Sequence, residues 1–294
     1  MTCYRLGRQV GQGGTLIESL VGIAIEQLTF RGAVAFLDAA QPDAKTIEGC
    51  LRDLFALPKP RPVAEQIELA ERFWVLDTIM QFDRHGFSQV PLYDEDFQPI
   101  KHGLSDEVLS SIDWNPVLEM ANNGYDRLAA IFREKQRTDR VQKLTQLQAE
   151  THPHYKQFVE GKGGAALKKA PSASERGRVF GQMLFASSIR LFGKVNDAAD
   201  RIQQTFDTLT VAYAVAWYQR LNGRYPDSLA QLAPTYLKTV PGDVFSGKEL
   251  IYRPHTNGFL VYGVGVNGID EGGRWADDQP PGDDIAVRVP LPKP

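Results

Sequence analysis

The chain has 294 residues, 43% of them hydrophobic and 23% charged, which is the composition of a folded protein with room for two domains and not that of a disordered chain. Its formal net charge of −3 supplies no basic surface, so we expect neither nucleic acid nor an anionic membrane as a partner. Two cysteines, Cys3 and Cys50, are too few for a disulfide framework. They could form one pair, but two buried thiols are the better expectation.

The first long predicted element begins with GGTLIESLVGIAIEQL, residues 13–28. It resembles the start of a type IV pilin, in which a basic leader, a glycine and a Phe-Thr-Leu-Ile-Glu run open a long apolar helix. Here Gly14 stands where pilins prefer Phe, and Glu26 and Arg31 interrupt the apolar segment. A membrane span needs ~20 mostly apolar residues. We therefore expect an amphipathic helix over residues 15–40 and no membrane span in this chain.

Further helical segments follow at residues 44–57, 63–82 and 114–159. Asp43 is a suitable N-cap for the first of them, and a proline-rich stretch ends it. The helix lengths favour antiparallel helical hairpins, so residues 1–160 are predicted to form an α-helical domain. The Gly- and Pro-containing residues 161–177 are predicted to be a linker.

The last predicted domain, residues 178–294, changes from helix to strand. A long helix runs to residue 221, and Gly223 ends it in the left-handed conformation. Two β-rich runs, 248–253 and 259–264, are joined by an Asn-Gly hairpin signal, and residues 285–289 alternate as a third strand. The fold class predicted for the chain is α+β, with the long helix packed on a small antiparallel three-stranded sheet.

The tail of the chain carries a dense set of motifs. GRYPDSLAQL follows the long helix, YLKTVPGDVFSG comes next, and GVGVNG and GDDI complete the set. Their order and most of their spacings resemble the C-terminal domain of the major pseudopilin, protein G, of type II secretion. The matching positions are Gly223, Tyr225, Pro226, Ser228, Leu229, Leu232, Tyr236, Leu237, Pro241, Asp243, Phe245, Gly247, Gly265, Gly268, Asp283, Asp284 and Ile285.

The whole chain resembles a planctomycete-type family in which a helical region precedes such a tail. Members of that family typically begin with a membrane anchor and a longer helical region. The resemblance implies an extracytoplasmic or membrane-anchored parent protein with protein partners, although it names none of them, and it implies no known activity.

The resemblance to pseudopilins also implies a calcium site, because the matching loop of that family supplies carboxylate and main-chain oxygens to the ion. The candidate ligands here are Asn267, Asp270, Asp283 and Asp284. Asn267 stands where the family has Asp, and the loop is longer than in the family, which puts its geometry in doubt. The alternative is an acidic loop that holds itself by Asx turns.

Other candidate sites are weaker. His152 and His154 could be a metal pair but lack a third ligand, so a surface turn is the better expectation. His85 and His102 lie in sequence near Asp83 and the acidic residues 94–96, where a hydrolytic dyad could form. The glycine-rich stretch GRQVGQGG lacks the Lys-Ser/Thr pair of a phosphate loop.

Two function classes follow from these patterns. The first is a non-enzymatic structural or protein-interaction protein with a pseudopilin-like C-terminal domain. The alternative is a metal-assisted hydrolase with a cleft between the two regions, which would need a nucleophile, a base and oxyanion donors in one place.

Overall fold

The computed structural model describes residues 1–86 and 103–291, which divide into two compact units. Unit 1 comprises Met1–Gly13, Ile17–Pro60 and the chain from Asp197 onward. Unit 2 comprises Gly14–Leu16 and the described part of Arg61–Asn196. Unit 1 is therefore assembled from both ends of the chain, whereas the sequence placed the two ends in different domains.

The structure is mostly helical. The helices are α1 Thr2–Val10, α2 Leu16–Ala39, α3 Ala44–Phe55, α4 Val63–Gln66, α5 Arg72–His85, α6 Asp106–Leu109, α7 Trp114–Phe132, α8 Arg137–Val159, α9 Gly163–Lys169, α10 Ala173–Ser188 and α11 Leu191–Asn222. A π-turn, Ile67–Glu71, joins α4 to α5, and a 3₁₀ turn, Leu229–Leu232, follows α11. The strands are β1 Ile251–His255, β2 Gly258–Gly263 and β3 Ile285–Val289.

The predicted α+β class is confirmed. The three strands form one antiparallel sheet in the order β1-β2-β3, and α11 shares a hydrophobic core with it. Leu209 and Val215 of α11 are fully buried together with Phe259, Val261 and Val287 of the sheet. The core of unit 1 also takes buried side chains from α2 and α3, which the sequence did not predict. They are Phe30, Val34, Leu37, Ile47, Leu51 and Leu54.

Several predicted boundaries follow from local chemistry and are confirmed. The Asp43 carboxylate accepts a hydrogen bond from the Thr46 N–H at 2.8 Å and caps α3. Gly223 has φ +70° and its N–H donates to the Gln219 carbonyl at 2.9 Å, which ends α11.

The hairpin between β1 and β2 is confirmed, but its glycine has a different role from the predicted one. His255 pairs with Gly258, so the turn consists of Thr256 and Asn257, and Gly258 already belongs to β2. A Cβ at Gly258 would lie 1.8 Å from the Val289 carbonyl oxygen of β3. Gly258 is required because β3 approaches its backbone closely. The conformation of the turn does not require a glycine at this position.

Two predictions about the middle of the chain were wrong. The residues predicted as a linker, 161–177, contain α9 and the beginning of α10 and lie within unit 2. The helix predicted over 114–159 is two helices, α7 and α8, separated by residues 133–136. The glycines that suggested flexibility are packing positions: a Cβ at Gly164 would lie 2.2 Å from the Gly103 carbonyl oxygen.

Unit 2 has two hydrophobic clusters. One gathers side chains of α7, α8 and α10 around Leu128 and Ile189, and includes Ile67 from the π-turn. The other surrounds Phe158, Phe180 and Met183. These clusters give unit 2 a core of its own, as an independent unit requires.

Helix α2 differs from the predicted amphipathic helix because both of its faces are apolar. Phe30 and Val34 are buried in unit 1, whereas Leu20 and Val21 are exposed. By length and composition α2 could cross a membrane, with a mean hydropathy of 1.5 in its most apolar window. One such helix near an N-terminus is weak support for a span, since core helices and signal sequences have the same properties.

The Glu26 side chain is shielded from water, because it forms a buried ion pair inside unit 1. Arg8 of α1 lies 3.1 Å from the Glu26 carboxylate, and both side chains are almost completely buried. Helices α1 and α2 approach closely here, since a Cβ at Gly22 would lie 2.6 Å from the Gly7 carbonyl oxygen. Burial raises the pKa of Glu26 to about 7, even though the Arg8 guanidinium lowers it.

Candidate functional site

The candidate site is the acidic loop of residues 264–284, which connects β2 to β3. Three of its glycines, Gly268, Gly272 and Gly273, have positive φ and let the loop turn tightly. The loop holds all four predicted metal ligands, so its hydrogen bonds decide what those side chains can do.

Asp284 is the most buried of the four predicted ligands, with 4% of its surface exposed. Its Oδ2 accepts hydrogen bonds from the N–H groups of Glu271 at 3.1 Å and Gly273 at 2.7 Å. Its Oδ1 is buried and has no hydrogen-bond partner among the described residues. Burial raises the pKa of Asp284 to about 6, and the negative charges of Glu271 and Asp270 act in the same direction.

Asp283, the neighbouring candidate, faces a different set of partners. Its Oδ2 accepts from the Asn267 N–H at 3.3 Å and lies 3.3 Å from the Arg201 guanidinium. Its Oδ1 is buried without a hydrogen-bond partner in the described part of the chain. A Cβ at Gly265 would lie 1.5 Å from that oxygen, so the Asp283 carboxylate lies directly on the Gly265 backbone.

Asn267 forms the Asx turn that was the alternative to a metal site. Its Oδ1 accepts from the Ile269 N–H at 2.7 Å, and its Nδ2 donates to Glu271 at 2.6 Å. Asp270 has different donors: its Oδ1 accepts hydrogen bonds from the Tyr262 hydroxyl at 2.9 Å and from the Gly272 N–H at 2.8 Å. Those hydrogen bonds hold the pKa of Asp270 below its ordinary value.

Two residues that sequence reasoning missed organise the loop. Glu271 links its two ends, because its carboxylate accepts from the Asn267 amide and from the Asp283 N–H at 3.2 Å. Arg201, from α11, supplies a positive charge next to Asp283. Glu271 lies within the acidic stretch and could have been included in the ligand set, whereas nothing in the sequence links Arg201 to position 283, 82 residues away.

The four predicted ligands are thus neighbours in one loop, but most of their oxygens already accept hydrogen bonds. No group of three or more His, Cys, Asp or Glu residues is arranged to hold a metal ion within residues 1–86 and 103–291. Among the four side chains, the buried oxygens without a hydrogen-bond partner in the described part of the chain are Asp283 Oδ1 and Asp284 Oδ1. Calcium binding by Asn267, Asp270, Asp283 and Asp284 therefore stays a prediction.

The remaining acidic residues of the loop are engaged in ion pairs. Asp278 pairs with Arg288 of β3, and Asp277 pairs with Arg31 of α2 at 2.9 Å. The negative charges of Asp277 and Asp278 are therefore already balanced by arginines.

The turn before β1 is hydrogen-bonded to the first residue of the acidic loop. Asp243 is buried, and its carboxylate accepts from the Phe245 N–H at 3.0 Å and the Val264 N–H at 3.1 Å. The Ser246 hydroxyl donates to the same carboxylate at 2.6 Å. Asp243 is thus an acceptor of backbone N–H groups, and through Val264 it also holds the first residue of the acidic loop.

The histidine candidates do not form a site among the described residues. His152 and His154 lie inside α8, so the predicted surface turn was wrong, and positions two residues apart face different sides of a helix. His152 contacts the Arg190 guanidinium at 2.7 Å. His85 is exposed at the end of α5, while His102 and the acidic residues 94–96 lie outside the described residues.

No protein-family model, no curated protein and no solved structure matches the chain.

Proposed function

We propose that the chain is a non-enzymatic structural or protein-interaction protein with a pseudopilin-like C-terminal domain and an extracytoplasmic location. The observation that carries the interaction role is an exposed aromatic patch on unit 2, formed by Leu69, Phe73 and Trp74. Phe73 is 65% exposed and Trp74 is 66% exposed. Large exposed apolar side chains that lie together mark interaction surfaces.

The local structure explains why these side chains point outward. The π-turn Ile67–Glu71 inserts an extra residue into the helix and shifts the helical face that follows it. Ile67 stays fully buried in unit 2, whereas Leu69 and the two aromatic residues face water. Single π-helical turns inside α-helices occur frequently at functional sites.

Ion pairs border the patch. Glu68 pairs with Arg133, and Arg72 donates to Asp126 at 2.5 Å. A central apolar and aromatic group with a charged rim is the arrangement of protein–protein contact surfaces, in which Trp, Tyr and Arg contribute most of the binding free energy.

A site-specific crosslinker tests the interaction role. A photoreactive amino acid at position 73 is expected to give a discrete crosslinked species in cells that express the chain, and Trp74→Ser should abolish it. The same amino acid at Phe55, which is 57% exposed on unit 1, is the matched control. Equal crosslinking at positions 73 and 55, or none at position 73, would argue against an interaction surface at this patch.

The pseudopilin-like part of the proposal is supported by the order of elements in the tail. A long helix ends at Gly223, the Asp243 turn follows, and three antiparallel strands complete the tail in the order that the resemblance implies. The location outside the cytoplasm is supported only by the resemblance. Fusion of the protein to a periplasmic reporter tests it, and a strictly cytosolic signal would contradict it.

A second candidate function, calcium binding by the acidic loop, is favoured by one specific observation. The Asp284 side chain is almost completely buried, and its Oδ1 has no donor in the described part of the chain. A buried carboxylate oxygen without a donor is costly, and a cation or a proton would remove that cost. The hydrolase alternative stays a prediction.

A further inference from the structure

The sequence contains four Asn-Gly pairs, and all of them lie in the described part of the chain. They are Asn123-Gly124, Asn222-Gly223, Asn257-Gly258 and Asn267-Gly268. Asparagine is chemically labile, and it is most labile before glycine, because the missing side chain leaves the next backbone nitrogen open to attack the asparagine amide. The surroundings of each pair therefore decide whether this reaction occurs in the folded protein.

The reaction rearranges the chain without an oxidant or a reductant. The backbone nitrogen of the glycine loses its proton to the solvent and bonds to Cγ of the asparagine. The Cγ–Nδ2 bond breaks, and the amide nitrogen leaves as ammonia. The product is a five-membered succinimide ring, and water then opens one of its two C–N bonds to leave aspartate or isoaspartate. The side chain must be free to turn toward the glycine nitrogen, and the glycine N–H must be able to give up its hydrogen bond.

Both groups are held in the pair at the end of α11. The Nδ2 of Asn222 donates a hydrogen bond to the Tyr218 carbonyl at 2.8 Å, and the Gly223 N–H donates to the Gln219 carbonyl at 2.9 Å. Succinimide formation here would have to break both hydrogen bonds, so the fold protects Asn222.

The pairs at Asn267 and Asn123 are also held. The Nδ2 of Asn267 donates to Glu271 at 2.6 Å, and the N–H of the glycine that follows donates to the Gly265 carbonyl at 3.1 Å. Asn123 lies in the middle of α7, where helical hydrogen bonds hold the backbone. A Cβ on the glycine after Asn123 would lie 2.3 Å from the Phe185 ring, so that backbone is closely packed as well.

Asn257 differs from the other three. It is exposed and lies in the two-residue turn between β1 and β2. Within residues 1–86 and 103–291 its side chain has no hydrogen-bond partner. Gly258 pairs with His255 as the last pair of the β1–β2 ladder, and the end of an element opens more readily than its middle. The Asn257 side chain can therefore turn toward the glycine nitrogen.

We propose that Asn257 is a site of self-modification, at which the folded protein forms a succinimide and converts asparagine to aspartate and isoaspartate. Isoaspartate adds one carbon atom to the main chain within a turn of two residues. Gly258 has no room to shift, since a Cβ there would lie 1.8 Å from the Val289 carbonyl oxygen of β3. The isoaspartate form is therefore less stable than the unmodified protein. This inference does not rest on the proposed function.

Peptide mapping of the folded full chain tests the site. After incubation in warm, mildly alkaline buffer, chymotrypsin separates the four asparagines into different peptides, because aromatic residues lie between them. Mass spectrometry then measures the conversion of each amide to a carboxyl group. We expect Asn257 to react about tenfold faster or more than Asn222 and Asn267, because each of those must first break two hydrogen bonds.

The chain unfolded in denaturant is the reference, and there all four asparagines should react at similar rates because their surroundings are lost. Equal rates at Asn257 and Asn267 in the folded protein would overturn the proposal. So would an Asn257 that stays intact in the folded protein under conditions in which it reacts in the unfolded chain.

Two variants separate the change of charge from the change of backbone. Asn257→Gln reacts far more slowly, because its ring would have six members, and it should keep its original elution position on ion exchange during the incubation. Asn257→Asp has the charge of the product on an unaltered backbone. The incubated wild-type protein should melt at a lower temperature than Asn257→Asp, and equal melting temperatures would contradict the destabilisation by isoaspartate.

Discussion

At the scale of single residues, the buried pair of Arg8 and Glu26 links local chemistry to the response of the protein to pH. The folded state raises the pKa of Glu26 from 4.5 to about 7, because burial disfavours the carboxylate more than the Arg8 charge favours it. Tyr4, also buried here, lies near the same carboxylate. The folded state therefore holds its proton more tightly than the unfolded state does, and stability falls as pH rises from about 4.5 to about 7.

We predict that the melting temperature decreases between pH 5 and pH 8 and that Glu26→Gln reduces this decrease, since Gln does not titrate. Burial also raises the pKa of Asp207 and of Asp284 to about 6, so part of the decrease remains in the variant. The exposed Glu48→Gln is the control and should leave the slope unchanged. Thermal melts at several pH values measure it, and a wild-type melting temperature that rises through this window would refute the account.

Glycines of the tail supply a second residue-scale prediction. Gly258→Ala places a Cβ 1.8 Å from the Val289 carbonyl oxygen, so β3 must move or detach. We expect a loss of roughly 3 kcal/mol or more in the free energy of unfolding. Gly247→Ala, where φ is +69° and no atom lies within 4 Å, introduces only backbone strain of about 1 kcal/mol. Chemical denaturation of both variants gives the comparison, and equal losses would mean that the close approach of β3 is unimportant.

At the scale of elements, the sequence is most informative where one residue determines a local geometry. The Asp43 cap and the Gly223 helix end were predictable because each depends on neighbours within a few positions. The break between α7 and α8 and the helices within residues 161–177 were not, because tertiary packing overrides the weak local signals there.

The candidate site in the acidic loop was also predictable only in part. The sequence placed Asn267, Asp270, Asp283 and Asp284 in one loop, and the structure keeps them there. It did not indicate which oxygens are used by the loop itself, because those hydrogen bonds depend on three glycines with positive φ and on Arg201 from a distant helix. The order of residues along the chain predicts which side chains a loop contains. The hydrogen bonds between them depend on the backbone conformation that the loop adopts in the folded protein.

Calcium binding is the prediction that belongs to this element. If the ion binds, the carboxylates of Asp283 and Asp284 gain a partner for their buried oxygens, and the folded state is stabilised by RT ln(1 + [L]/Kd). With a Kd of ~10⁻⁴–10⁻³ M, a few millimolar calcium should stabilise the protein by about 1–2 kcal/mol. Melts in calcium and in chelator measure the difference.

The control for calcium is Asp284→Asn, which keeps the shape of the side chain but removes its charge. The variant should melt at the same temperature in calcium and in chelator. Equal melting temperatures for the wild-type protein in the two buffers would contradict calcium binding and leave the Asx turn at Asn267 as the device that orders the loop.

At the scale of the whole molecule, the main difference from the sequence prediction is where the core of the tail lies. The predicted domain of residues 178–294 contains α11 and the sheet, but the apolar face of α11 is also covered by α2 and α3. Phe30, Ile47 and Leu51 are buried in the same cluster as Leu209 and Val215. The sequence could not show this, because contacts between residues far apart in the chain have no local pattern.

We therefore predict that residues 178–294 do not fold alone. Without α2 and α3, Tyr213 and the other side chains of α11 that these helices cover would face water, and each large one costs about 1.5–3 kcal/mol. A few such losses are comparable with the free energy of unfolding of a typical domain. The fragment should lack cooperative thermal unfolding and near-ultraviolet circular dichroism.

Addition of residues 1–60 as a separate chain should restore part of both signals, because the Tyr213 hydroxyl and the Ala33 carbonyl, 3.0 Å apart, bring the two pieces into one core. A sharp melting transition of the fragment alone, unchanged by residues 1–60, would show that α11 and the sheet form an independent domain as the sequence suggested.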